Sequence, residues 1–349
     1  MSSLQEFMEK LDCPDEAERT YAAEDIGYLN APEGVPPLLE RLGKEASRAV
    51  RDAIFQALIR IDADAAIEGS IRLLGNDDPQ IRNQAVEVLR LKGAASIPFL
   101  NTVMRDDDKD LRKLVLDVLS GVQTSGAEAI YEAALSDPDP NVVITAVENL
   151  GRTQAKQFRG RIEDLLLAGS HPMLDGACLE ALAGIGDERS LAAIRRRFPD
   201  LANLPDFFLI SCLKALGALG TDGDFEEVAA LLAVRGPHLR TAILSALIAV
   251  HQRHPAKSLG EGLLPALQAM ADDGDPPLCR YQAVRALGFL STRDDIFSFL
   301  VSCLSSPERL VRLGAIESLR VTERPGVETL LASRALEETD EEVLQALTS

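Results

Sequence analysis

The residues of this 349-residue chain whose types could do chemistry are few: four histidines, five cysteines and one acidic quartet. His251 and His254 stand three apart in the run His-Gln-Arg-His-Pro-Ala-Lys257 and could share a helix face as metal ligands. No cysteine or carboxylate stands at ligand spacing in that run and a proline follows at once, so a surface loop at a helix end is expected. Asp272-Asp-Gly-Asp275 resembles the opening of a cation loop, but the ligand ladder and its closing glutamate are missing. An acidic turn between helices is expected there. Cys13, Cys178, Cys212, Cys279 and Cys303 form no Cys-x-x-Cys pair, and Cys178, Cys212 and Cys279 fall on apolar positions, as reduced core thiols of a cytoplasmic protein would. There is no glycine-rich phosphate loop, no Gly-x-Ser-x-Gly and no recognisable Cys-His spacing. The expectation is therefore no catalytic residue, no metal and no cofactor.

Arginine is the residue with a pattern. In Asp77-Asp-Pro-Gln-Ile-Arg-Asn-Gln-Ala-Val-Glu-Val-Leu-Arg-Leu-Lys-Gly93, an acidic turn leads through Pro79 into an amphipathic helix, with Ile81, Ala85 and Leu89 on one face. Arg82 follows the first apolar anchor. When the chain is aligned on that anchor, the next position reads Arg19, Arg51, Arg82, Arg112, Val143, Asp175, Leu209, Arg240, Arg280 and Arg312. The position eight past the anchor reads Ile26 and then Leu58, Leu89, Leu119, Leu150, Leu182, Leu216, Leu247, Leu287 and Leu319. Two independent registers recurring about every 31 residues identify a repeat protein.

The elements that must hold this column follow from the register. A shorter first helix precedes each template helix, in a series from Val35–Leu42 to Val327–Ala335. Acidic, proline-bearing turns such as Asp137-Pro-Asp-Pro140 and Asp275-Pro-Pro277 supply caps for the second helices. Glycines 93, 121, 151, 186, 220 and 288 separate the units. No period-two alternation competes, so strands are not expected. Apolar residues make up 46% of the chain, aromatics only 4%, and there is no Trp, which suits close helix packing. The net charge of −19 disfavours a nucleic-acid phosphate backbone and an anionic membrane surface alike. Met1 to Met8 lacks the marks of a signal peptide, and no apolar run is long enough to span a bilayer. A cytoplasmic location is expected.

Repeat length alone admits several families. Tetratricopeptide units need bulky Trp and Tyr, and ankyrin units need a Thr-Pro-Leu-His turn, neither of which is present. Asp78-Pro-Gln-Ile-Arg82 with Ala85 and Leu89, echoed by Leu239-Arg240 and by Val311-Arg312 with Ala315 and Leu319, resembles the HEAT-repeat superfamily, in its short bacterial form called phycobilisome-lyase HEAT-like repeats. The resemblance covers nearly the whole chain. It implies an all-α, right-handed α–α superhelix of about eleven helical pairs, running through residues 1–349 as one solenoid. It also implies a ladder role for Arg19, Arg51, Arg82, Arg112, Arg240, Arg280 and Arg312, each covering the carbonyls of an acidic turn. The column breaks at Val143, Asp175 and Leu209, where Ser170-His-Pro172 and Asn203-Leu-Pro205 replace acidic turns. Either the packing changes or the solenoid hinges at about 140–215.

Enzymes within the superfamily set further tests. Deoxyhypusine hydroxylases carry repeated His-Glu pairs, and none of His171, His238, His251 or His254 precedes Glu. Helical-repeat DNA glycosylases use a basic groove with aromatic residues, which this chain lacks. An accessory subunit of a phycobilin-type chromophore lyase, or another HEAT-like enzyme, stays as the alternative. The reading from the residues is a non-enzymatic scaffold that binds a partner protein or peptide on its concave face. Six past the anchor, Glu87, Asp117, Glu148 and Glu180 form an acidic row that then switches to Lys214. Two past it, Ile144, Ile210, Tyr281 and Leu313 are apolar where polar residues are expected. An apolar strip edged by carboxylates suits an amphipathic helix with basic flanks. Val343, Leu344 and Leu347 of the terminal helix are expected to be exposed, offering an end for self-association.

Overall fold

The computed structural model describes residues 3–121, 126–254, 261–272, 275–289, 293–322 and 324–348, and no strand occurs among them. They form two compact units, one up to Thr153 and one from Gln154. In each unit a first helix and a second helix alternate, and every pair packs on the next. The first unit holds the pairs Leu4–Lys10 with Glu16–Leu29, Val35–Leu42 with Arg48–Arg60, Asp64–Leu73 with Pro79–Lys92, Ile97–Val103 with Lys109–Leu119, and Glu128–Ala134 with Pro140–Arg152. The second unit begins with Arg159–Ala168 and Pro172–Ile185, then Glu188–Arg197 and Asp206–Leu219, then Asp222–Val234 and Arg240–Arg253. It continues with Leu264–Ala271 and Pro277–Gly288, Asp294–Cys303 and Arg309–Arg320, and Val327–Ala335 and Glu341–Thr348. Within each unit this is α-solenoid stacking, with second helices packed on second helices throughout, and first helices on first helices from Val35–Leu42 to Glu128–Ala134 and between Arg159–Ala168 and Glu188–Arg197.

The core lies between these layers. Ile26, Ile54, Leu58 and Leu89 are fully buried in the first unit; Leu182, Leu247, Leu287 and Leu319 are equally closed in the second. A side chain of that size gains about 1.5–3 kcal/mol on leaving water. Small residues let the second helices approach: a Cβ on Gly27 would lie 2.7 Å from the Ala57 backbone.

Carboxylate caps prevail on the second helices of the first unit, while among the described second helices of the second unit Asp340 caps Glu341–Thr348 by accepting from the N–H groups of Glu342 and Val343. Asp15, Asp78, Asp108 and Asp139 each accept from the backbone N–H two residues on, so the second helices they begin are closed by carboxylates. In the second unit the helices starting at Pro172, Asp206, Arg240, Pro277 and Arg309 have no side-chain cap. The glycine breaks work in two ways. Gly93 takes a φ of +58°, whereas at Gly186 and Gly220 an added Cβ would meet the carbonyl four residues back at 2.4 and 2.5 Å. Gly151 lies inside its helix and ends nothing.

The terminal helix differs from expectation. Val343 and Leu347 are buried and only Leu344 is exposed, because an eight-residue amphipathic helix turns its stripe onto the helices Arg309–Arg320 and Val327–Ala335. No helix among the described residues is long and apolar enough to cross a membrane.

Candidate functional site

The second helices carry both the arginine column and the exposed rows, so the site is built from them. Arg112 gives the fullest view of the column. Its Nη1 donates to the carbonyls of Asp106 and Asp107 in its own turn, at 2.9 and 3.2 Å. Its Nε and Nη2 donate to both carboxylate oxygens of Asp137 in the next turn, at 2.7 and 2.8 Å. Arg19 reaches Cys13, Pro14 and Glu45 in the same manner, and Arg312 reaches Ser306, Pro307 and Glu338. Arg51 joins the Glu45 carbonyl to Asp78, and Arg82 takes the carbonyls of Asn76 and Asp77. Arg240 is held by both oxygens of Asp275, and Arg280 donates to the Ala271 carbonyl. A planar fork suits this double task, since one edge covers carbonyls and the other pairs a carboxylate.

The three exceptions do not leave their turns uncovered. Val143 and Leu209 fill the column position with buried apolar side chains. Asp175 reverses its sign: it is buried, and Arg197, at the end of the next first helix, donates to it at 2.7 Å. Arg235, just past the following first helix, donates to the carbonyls of Ala202 and Leu204 and to Asp206, so the turn before Leu209 is covered from the next repeat. Arg197 and Arg235 are therefore the column's arginines on the opposite side of the contact. An arginine in the last turn of the first helix is no distinguishing signal in sequence, since Arg41, Arg72 and Arg334 stand there in other repeats.

The inversion has consequences for charge and shape. Burial pushes the Asp175 carboxyl upward, and the Arg197 guanidinium offsets this only in part. The same guanidinium stands 5.0 Å from the Phe198 ring, Phe198 packs on Phe208, and Phe208 meets Phe207 edge-on at 5.2 Å. Phe207 in turn covers Gly176, where an added Cβ would lie 3.3 Å from its ring. The outcome is an exposed apolar patch on two adjacent second helices: Met173 is 55% exposed, Phe207 50% and Ile210 49%. Of these, only Ile210 was singled out from the sequence. The position just before the anchor is polar at Gln80, Asp110 and Asn141 and apolar at Met173 and Phe207, but it is apolar again at Leu278 and Leu310, so the register by itself does not mark the patch.

The remaining candidate residues divide between the two units. In the first, Glu87 is exposed and 3.6 Å from Arg90, Glu148 is exposed, and Ile144 is half-buried. Asp117 is half-buried too, and burial raises its carboxyl pKa. In the second, Glu180 is paired with Lys214 on the neighbouring helix, beside Ile210. Tyr281 is half-buried and donates its hydroxyl to Glu317 at 2.9 Å. His251 stacks on Phe289 with ring centroids 4.0 Å apart, and His254 lies 3.8 Å from Asp222. No cluster of metal-ligating side chains occurs among the described residues. Lys257, Asp273 and Gly274 lie outside the described residues.

Comparison with known proteins places this geometry. The sequence model of the family described as HEAT repeats matches residues 4–90 and 263–349. No curated protein matches the chain. Among solved structures, importin beta superposes with a TM-score of 0.61 at 15% identity, over 99% of this chain and 56% of that one. Kap95p, in a structure with RanGDP, gives 0.65 at 12% identity, over 99% and 56%. Kap121p bound to Pho4p gives 0.52 at 13% identity, over 99% and 45%. The chain thus spans about half the length of these proteins, and the likeness is one of fold.

Proposed function

The chain is a HEAT-repeat protein, and we propose that it works as a non-enzymatic interaction scaffold that takes a partner protein or peptide across the exposed face of its second helices. The observation that carries this is the apolar patch of Met173, Phe207 and Ile210. Exposed large apolar side chains on neighbouring helices mark contact surfaces when they cluster. This cluster sits where the arginine column gives way to Asp175 and Leu209. The fold neighbours support the reading, since Kap95p and Kap121p are seen with the proteins RanGDP and Pho4p.

The partner segment is an amphipathic helix with basic flanks. Its apolar side seats on the patch as anchors spaced three or four apart would. Its basic residues are steered by Glu180, on the same unit as the patch, a contribution that falls with salt. Free cysteines and a strongly acidic surface fit a cytoplasmic setting.

The test joins capture to position. A photo-crosslinking residue at Ile210 should trap the protein that co-purifies with the chain, and one at exposed Glu226 on a first helix should not. Phe207→Asp should abolish recovery of that protein while the chain stays folded at the temperature of the assay. Equal crosslinking from both positions, or full recovery with Phe207→Asp, would overturn the assignment.

A further inference from the structure

The inverted contact at Asp175 closes on itself. Its carboxylate accepts from Nη2 of Arg197 at 2.7 Å, and Arg197 lies 5.0 Å from the Phe198 ring. The ring centroids of Phe198 and Phe208 stand 5.4 Å apart, and those of Phe208 and Phe207 5.2 Å. Phe207 in turn covers Gly176, the residue after Asp175. The circuit starts and ends on the helix Pro172–Ile185, and its one ionic link supports the exposed ring of Phe207. We propose that Asp175 is a proton-operated latch on the apolar patch, holding the ring of Phe207 in place while charged and letting it go when protonated.

Burial and bonding fit Asp175 for this role. It is 1% exposed, its Oδ1 has no partner, and a single guanidinium holds its charge. Burial outweighs that guanidinium and raises its pKa, so it takes up a proton more readily than a carboxylate in water. Arg197 can leave, because its side chain is 33% exposed and water can replace a neutral carboxyl as its partner. The charges around the link are engaged elsewhere or oppose its opening. His171, one turn earlier, favours the charged form of Asp175. Cys178, a turn later, is a thiol that burial pushes upward and keeps neutral. On the packed helix Arg159–Ala168, Glu163 is taken by Arg159 and the Ser190 hydroxyl, while Arg161 and Asp164 are exposed. On Asp206–Leu219, Asp206 is held by Arg235 and His238, and Lys214 by Glu180. On Glu188–Arg197, Arg195 is paired with Asp224 and Arg196 is exposed. In the column itself, N–H and arginine donors outweigh burial at Glu45 and Glu338, so both stay charged while Asp175 titrates.

The regulatory use of the latch rests on the patch being the partner surface, but the latch itself is read on the whole chain alone. 4-Fluorophenylalanine replaces Phe207, and its fluorine NMR signal is followed with pH beside the carboxyl-carbon signal of Asp175. Both should shift in one step with a shared midpoint above 3.8. Asp175→Asn should put the fluorine signal at its acid position already at pH 7 and remove the step. His171→Gln should keep the step, which separates the carboxyl from the neighbouring imidazole. Crosslinking of the co-purifying protein from Ile210 should weaken below the midpoint, as an anchor fixed in advance becomes loose. Crosslinking that fails at every pH would tell against the patch and leave the fluorine result standing. A fluorine signal that ignores the Asp175 step, keeps it in Asp175→Asn or loses it in His171→Gln would overturn the proposal.

Discussion

Glu45 and Asp175 are both buried carboxylates bonded to arginine, and their protonation equilibria move in opposite directions. Burial alone would raise Glu45. Donation from Arg19, the Ser47 N–H and Arg41 outweighs it and holds the group at about 2. Asp175 receives only Arg197, one of its oxygens has no partner, and burial wins, so its pKa rises. The depressed group stabilises the fold above its unfolded pKa of 4.5, and that contribution is lost as pH falls toward 2. The raised group contributes in the opposite sense, with stability present below its unfolded pKa of 3.8 and lost as pH rises through the folded value. Glu45→Gln should therefore cost on the order of 2–3 kcal/mol in urea unfolding at pH 7, and much less near pH 2.5. Asp175→Asn should stay within about 1 kcal/mol of the parent at pH 7, because losing an under-bonded buried charge offsets the lost ion pair. Equal costs for the two substitutions would show that burial does not dominate at Asp175.

At the scale of the element, helix approach is set by residues without side chains. A Cβ at Gly27 meets backbone at 2.7 Å, which cannot move aside as a flexible side chain could. Gly27→Ala should destabilise by about 1–3 kcal/mol. Gly160, in the helix Arg159–Ala168, has nothing within 4 Å of an added Cβ, so Gly160→Ala should stabilise by about 0.5 kcal/mol. Thermal melts of the pair check the sign, and a stable Gly27→Ala would mean that the second helices can separate without penalty. The helices were legible in sequence: the expected Val35–Leu42 and Val327–Ala335 stand at those bounds. Their capping was legible only in part. The Asp-Pro turns announced the caps of the first unit, whereas Pro172, Asp206 and Arg240 begin helices without side-chain caps.

At the scale of the whole molecule, the repeats close four of the five thiols. Cys178, Cys212, Cys279 and Cys303 are buried, and burial pushes all four upward, Cys212 to about 12 and Cys303 to about 11. Cys13 alone is partly accessible. A thiol-labelling time course in native buffer should show one fast site, the other four reacting only as the fold opens. Rapid labelling of a second thiol would contradict the packing of its repeat. Reversing Glu180, beside the patch, to Lys should weaken partner capture and flatten its salt dependence, and unchanged capture across salt would remove that acid from the interface. By itself the sequence determined the period, the two helices of each repeat, the buried leucine register and the column of arginines, because each is a local or periodic property written in one dimension. Only the tertiary structure decided that Arg197 and Arg235 serve the column from the far side and that Phe207 comes to rest over Gly176 beside Ile210. Those contacts join neighbouring repeats whose intervening turns vary in length and composition. Which side chain reaches across is therefore settled by packing in three dimensions, and no single register position records it.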